Sequence, residues 1–91
     1  MTTGQNDDVL AQRRRLRAEL RDERKLAHLT QKQVAHAMDW SPSKMFRIET
    51  GSVGISVTDL RALLRYYNLE GQRLMELIGL ARATRTRRGS R

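Results

Sequence analysis

Residues 29–51 read LTQKQVAHAMDWSPSKMFRIETG and contain two short helical patterns. The first pattern covers residues 31–38 and the second covers residues 42–50, with a break of about three residues between them. Two short helices joined by such a tight break are typical of a helix-turn-helix motif.

Both helices carry signals for where they begin and end. Thr30, followed three residues later by Gln33, predicts a capping box in which the two side chains bind free amides of the first turn. Ser41 is a good N-cap, and Pro42 suits the first helical position. Gly51 supplies the left-handed residue that commonly ends a helix. The boundaries of both helices follow from these residues.

The second of these helices has two chemically different faces. At about 100° per residue, Met45 and Ile48 share one face and are predicted to be buried. The opposite side carries polar, basic and aromatic side chains, namely Ser43, Lys44, Phe46 and Arg47. In a major groove, Arg and Lys can bond guanine edges, Ser can bond several edges or a phosphate, and Phe can touch a thymine methyl. An ordinary solvated face has the same spacing, so the pattern alone leaves both interpretations open.

Helical spacing also covers most of the remaining chain. Three further helices are predicted, at residues 9–27, 56–67 and 70–83. The flanking segments, residues 1–8 and the Arg-rich residues 84–91, are predicted to be disordered. The expected fold is therefore all-α, with five helices in one domain over residues 9–83.

Charge is concentrated towards both ends of this 91-residue chain, which has a formal net charge of +8. Residues 13–25 carry a net +4, and residues 82–91 carry +5 from Arg alone. A surplus of Arg suits a polyanion, because a guanidinium binds phosphate through two hydrogen bonds at once. A solvated helix face followed by a disordered tail is the alternative interpretation.

Several other classes of protein are excluded or disfavoured. The absence of Cys excludes disulfides, zinc fingers and thiol chemistry. His28 and His36 have no carboxylate cluster at ligand spacing, so neither a metal site nor a cofactor is predicted. No Ser/His/Asp arrangement or Gly-rich phosphate loop is present, so the chain is not expected to be an enzyme. Without a transmembrane segment or a signal peptide, it is expected to be cytoplasmic.

Two segments carry a resemblance to a known family. LTQKQVA at residues 29–35 and WSPSKMFRIETG at residues 40–51 resemble the Cro/lambda-repressor (Xre) helix-turn-helix family, and the second is most similar to its actinobacterial branch. Arg24, seven residues before Gln31, matches in the same register. The resemblance extends over roughly residues 16–81. It implies a five-helix, lambda-repressor-like DNA-binding domain whose third helix enters the major groove.

The same resemblance implies roles for individual residues. Gln31, at the start of the second helix, is expected to contact a phosphate. Pro42 stands where related repressors often use Gln to read a base, so that contact is expected to be absent. Arg24 and Glu49 match an internal ion pair that is expected to set the tilt of the third helix. The other expected DNA contacts are Ser41, Ser43, Lys44, Phe46 and Arg47.

The chain departs from the family pattern at two turns. His28 and Asp39 stand where the family commonly has Gly. A left-handed backbone is tolerable for Asp, though less easy than for Gly. Both changes are expected to affect local turn geometry rather than the fold.

The sequence thus predicts a sequence-specific transcriptional regulator, expected to be a repressor, that binds double-stranded DNA. One recognition helix spans only about four or five base pairs, so a homodimer on DNA is predicted. The expected dimer surface is formed by Leu74, Met75, Ile78 and the loop at residues 52–55. Two alternatives remain open. One is a protein-interaction module of antitoxin type with a small protein partner, and the other is the DNA-binding head of a longer regulator.

Overall fold

The computed structural model describes the backbone of residues 3–51 and 54–89 and the side chains of residues 9–51 and 54–84. Five helices and no strand occur in these residues, which confirms the predicted all-α fold. The helices are α1 (Thr3–Leu26), α2 (Gln31–Met38), α3 (Pro42–Thr50), α4 (Val57–Tyr66) and α5 (Gly71–Gly89).

Side-chain caps define the start of the second and third helices as predicted. The Thr30 hydroxyl accepts from the amide of Gln33 at 3.1 Å, and the Gln33 side chain accepts from the amide of Thr30 at 2.9 Å. At α3, the Ser41 hydroxyl accepts from the amide of Lys44 at 3.0 Å. Because each cap satisfies an amide that has no partner inside the helix, α2 and α3 begin at fixed residues.

Three tight turns rest on residues with left-handed backbones. His28 and Asp39, the two positions that depart from the family pattern, both have φ of 61°. Gly51 ends α3 with φ of 89° and meets a second constraint as well. A Cβ at Gly51 would lie 2.6 Å from the Arg17 guanidinium, so the space beside this residue is already filled. Gly therefore occupies the position where both the backbone conformation and the available space require it, and His and Asp occupy the other two of these three left-handed positions.

All five helices contribute to one hydrophobic core. α1 packs against α5 and α3, α2 against α3, and α4 against α5. Burying a side chain such as Leu, Ile or Met contributes about 1.5–3 kcal/mol, so this cluster is the main source of stability. Its buried members are Leu16, Leu20, Val34, Ala35, Met45, Ile48, Ile55, Leu60, Leu63, Leu64, Tyr67, Leu74, Leu77, Ile78 and Ala81.

The two terminal helices are longer than predicted. α1 begins at Thr3 rather than near residue 9, and α5 continues to Gly89 rather than ending near residue 83. The backbone is thus helical over most of the two segments for which disorder was predicted. Neither extension contains Pro, and the added turns of α5 are rich in Arg, a good helix former. Within the described residues, no helix combines the length and the apolar character needed to cross a bilayer.

Candidate nucleic-acid interface

Helix α3 separates a buried side from an exposed one. Met45, Ile48 and Glu49 are buried against the rest of the domain. The exposed residues of α3 are Pro42, Ser43, Phe46, Arg47 and Thr50. The sequence placed Met45 and Ile48 inward and Ser43, Phe46 and Arg47 outward, and the structure arranges them in this way.

Phe46 and Arg47 dominate the exposed side of α3. Phe46, the only Phe of the chain, exposes 55% of its surface. The Arg47 side chain makes no hydrogen bond or ion pair with another side chain that the structure describes. An aromatic ring and a guanidinium are thus presented side by side to whatever lies against α3, and both are suited to base edges.

Lys44 lies apart from this pair. Its ammonium is 3.2 Å from the Asp59 carboxylate on α4 and 4.6 Å from the centre of the Trp40 ring. The sequence grouped Lys44 with the outward side chains, but the structure directs it towards α4 and the turn. Both groups of the ion pair are partly exposed, so the contact contributes at most about 1 kcal/mol, and its strength falls with salt.

Ser41 and Gln31 are both engaged within the domain. Ser41 is exposed, and its hydroxyl serves as the cap of α3. The Gln31 amide donates to Glu49 Oε1 at 2.9 Å. Gln31 therefore bridges the start of α2 and the buried side of α3, a contact that the sequence did not reveal. Its predicted phosphate contact would have to be made from this position.

A buried ion pair joins α1 to α3. Arg24 Nε donates to Glu49 Oε2 at 2.8 Å, and Arg24 Nη2 donates to Glu49 Oε1 at 3.0 Å. Arg24 Nη1 also donates to the carbonyl of Leu29 at 2.9 Å. The Arg24 and Glu49 side chains are only 11% and 1% exposed. The hydrogen bonds to the Glu49 carboxylate hold the pKa of Arg24 above its usual value, so the guanidinium remains protonated.

The hydroxyl of Tyr67 lies buried at the C-terminal end of α4. It has no hydrogen-bond partner among the residues that the structure describes. Burial raises the pKa of Tyr67 well above its usual value, and the nearby Glu49 carboxylate raises it further. Tyr67 was predicted to be a core residue and is one.

A second group of ion pairs joins α1 to α5. Arg73 Nε and Nη2 donate to Glu23 Oε2 at 3.1 and 2.9 Å, and Nη2 also donates to Glu19. Arg73 lowers the pKa of Glu19 through this hydrogen bond. The sequence did not reveal these contacts, although Glu19 and Glu23 are four residues apart and share one side of a helix. Nothing in the local sequence identifies Arg73 as their partner.

The described residues contain no group of three or more side chains able to hold a metal ion. Residues 15–77 match a protein family described as a helix-turn-helix domain. This match covers more than half of the chain and includes α2 and α3 together with their flanking contacts. The chain matches no curated protein and no solved structure.

Proposed function

This chain belongs to the helix-turn-helix domain family, a class of DNA-binding domains, and from that premise we propose that it is a sequence-specific regulator of transcription. It acts as a repressor of the Xre type on double-stranded DNA. The observation that carries the proposal is the exposed pair of Phe46 and Arg47 on a helix whose opposite side is buried. α3 is the recognition helix and lies in the major groove.

Each exposed side chain of α3 has a chemical role in this proposal. Arg47 donates two hydrogen bonds to a guanine edge, a contact worth about 1–3 kcal/mol of discrimination. Phe46 packs on a thymine methyl, and Ser43 bonds a base edge or a phosphate. Lys44 can reach DNA only after its ion pair with Asp59 is broken. While this ion pair persists, we assign Lys44 the structural role of holding α3 against α4. Gln31 and Ser41 lie at helix N-termini, where backbone phosphates are favoured.

We propose that two copies of the chain bind one operator. Two recognition helices then read half-sites about 34–36 Å apart, one turn of the duplex. The dimer surface expected from the sequence needs correction, because Leu74 and Ile78 belong to the core. Met75, which is 55% exposed, remains available. Residues 52–53 of the expected surface lie outside the described residues.

Selection of bound duplexes from a random pool tests the proposal directly. The full chain is expected to enrich a palindromic sequence with two half-sites. On the selected site, Arg47→Ala is expected to weaken binding by about 5- to 150-fold and to relax preference at one base pair per half-site.

Arg65→Ala is the matched control, because Arg65 is an exposed Arg on α4. It removes the same charge and is expected to leave base preference unchanged. No enrichment from the pool, or equal effects of the two substitutions on base preference, would overturn sequence reading by α3. Absence of all binding to duplex DNA would favour a protein-interaction module.

A further inference from the structure

The charges of α1 are sorted onto two sides of the helix. With Leu16 and Leu20 facing the core, a spacing of 100° per residue places most of its cations on one side. This basic side consists of Arg13, Arg14, Arg17, Arg21, Arg24 and Lys25. The acidic side, across the core-facing stripe, carries Glu19, Asp22 and Glu23 together with Arg15.

Contacts at both sides fix the direction in which the basic side points. Arg24 bonds Glu49 of α3, and the Arg17 guanidinium fills the space beside Gly51 at the end of α3. On the acidic side, Glu19 and Glu23 bond Arg73 of α5. The basic side therefore continues the surface of α3 at its C-terminal end, and the acidic side faces away from it.

The outer cations of the basic side have no counter-charge within the described part of the chain. Arg13, Arg14 and Lys25 are exposed and Arg21 is half-buried. None of the four forms an ion pair or side-chain hydrogen bond with a residue that the structure describes. Arg13, Arg17, Arg21 and Lys25 follow one another at intervals of four residues, and each such like-charge pair costs a few tenths of a kcal/mol. An external polyanion would offset this repulsion.

We propose that the basic side of α1 binds the DNA backbone beyond the base pairs that α3 reads. The inference rests on the proposed function, since it needs α3 at the DNA. The phosphates that border the groove at the C-terminal end of α3 are the polyanion nearest to this surface. From Arg13 to Arg21 the helix rises about 12 Å, a length that three or four phosphates of one strand occupy along the duplex axis.

Consecutive residues of α1 provide a matched pair of variants. Arg14→Gln removes a cation from the basic side, whereas Arg15→Gln removes one from the acidic side, where Arg15 lies 3.5 Å from Glu19. Both changes alter the net charge equally and retain a good helix former. Melting temperatures equal to that of the wild type would show that both variants are folded.

The measurement is the affinity for the selected duplex and for a random duplex as a function of salt concentration. Arg14→Gln is expected to weaken binding to both duplexes by the same factor and to reduce the salt slope by about 1. Arg15→Gln is expected to leave the slope unchanged. The effect of Arg14→Gln is expected to disappear on a duplex trimmed to the base pairs that α3 reads.

Different failures have different meanings. Equal slopes for both variants and the wild type, with the selected site still bound, would overturn the role of α1 and leave the proposed function intact. A persisting effect of Arg14→Gln on the trimmed duplex would also overturn it. A wild-type chain that binds no duplex at any salt concentration would overturn the proposed function and this inference together.

Discussion

Helix α1 is attached to α3 and to α5 by contacts of the same chemistry in different surroundings. In each case an Arg binds carboxylates through more than one guanidinium nitrogen. At α3, the Arg24 and Glu49 side chains are 11% and 1% exposed. At α5, Arg73 is 35% exposed, and its partners Glu19 and Glu23 are 25% and 14% exposed. The first pair is enclosed by protein, and the second is in contact with water.

The difference in burial determines how much each attachment matters. Removing one partner from a buried pair leaves an uncompensated charge and costs about 3–5 kcal/mol. A partly exposed pair is screened by water and salt and contributes about 1 kcal/mol or less. The attachment to α3 therefore holds α3 firmly against α1, while the attachment to α5 adds little beyond the apolar packing between α1 and α5.

Glu49→Ala is expected to have the largest effect. It leaves Arg24 buried without its carboxylate and removes the acceptor of Gln31. The free energy of unfolding is expected to fall by about 3–5 kcal/mol in urea denaturation, because a buried charge loses its partner. In the double variant Arg24→Ala/Glu49→Ala, the loss is expected to be smaller than the sum of the two single losses. Additive losses would show that the buried pair is not coupled.

Gly51→Ala tests the same attachment through the backbone. A left-handed backbone costs about 1–2 kcal/mol for a residue with a Cβ. The new methyl group also meets the Arg17 side chain, which has to move. The expected loss in the free energy of unfolding is therefore at least 1–2 kcal/mol.

Gly54→Ala is the control for this substitution. A Cβ at Gly54 meets nothing within 4 Å, and its backbone is not left-handed. The free energy of unfolding is expected to stay within about 0.5 kcal/mol of the wild-type value. Equal losses for both variants would refute the special role of Gly51.

Arg73→Ala is expected to have a smaller effect than either of the α3-side variants. The free energy of unfolding is expected to fall by about 1 kcal/mol, because Glu19 and Glu23 are partly exposed and water can replace the guanidinium once it is removed. The same measurement in high salt is expected to show a still smaller difference between variant and wild type. A loss of 3 kcal/mol or more would make the two attachments of α1 equivalent and contradict the comparison.

The acid side of the stability profile provides the finest test. Arg73 lowers the pKa of Glu19 in the folded chain below its usual value of 4.5. The unfolded state therefore binds the proton more tightly, and stability falls as the pH drops through 4.5 towards the folded-state pKa. Arg73→Ala is expected to make the pH dependence of the free energy of unfolding slightly less steep in this range. An unchanged pH dependence in this range would show that the contact does not lower the pKa of Glu19 in solution.

The local sequence predicted the central motif well because its signals are local. Thr30 with Gln33, and Ser41 with Pro42, determine hydrogen bonds within a single turn. The burial of Met45 and Ile48 follows from helical periodicity alone. These features need no knowledge of the rest of the fold, so the helix bounds and the two sides of α3 could be predicted.

Features that depend on distant residues could not be predicted in the same way. Lys44 lies at the margin between the two sides of α3, and its direction is determined by Asp59, fifteen residues away. Arg73 is fifty residues from Glu23, and from the sequence many other cations of this basic chain were equally good candidates to pair with that carboxylate. Leu74 and Ile78, which were assigned to a dimer surface, lie in the core, where α5 packs against α1 and α4.

The contact between α1 and α5 also bears on how the chain folds as it is synthesised. Among the five helices α1 leaves the ribosome before the others, but α5, which packs against it, is synthesised after the other four. Until α5 emerges, the nascent chain carries Leu16 and Leu20 without their full set of neighbours, and such exposed apolar surface is what chaperones bind. Ribosome-bound chains that stop before α5 should therefore remain sensitive to protease, and protection should appear abruptly once α5 is available.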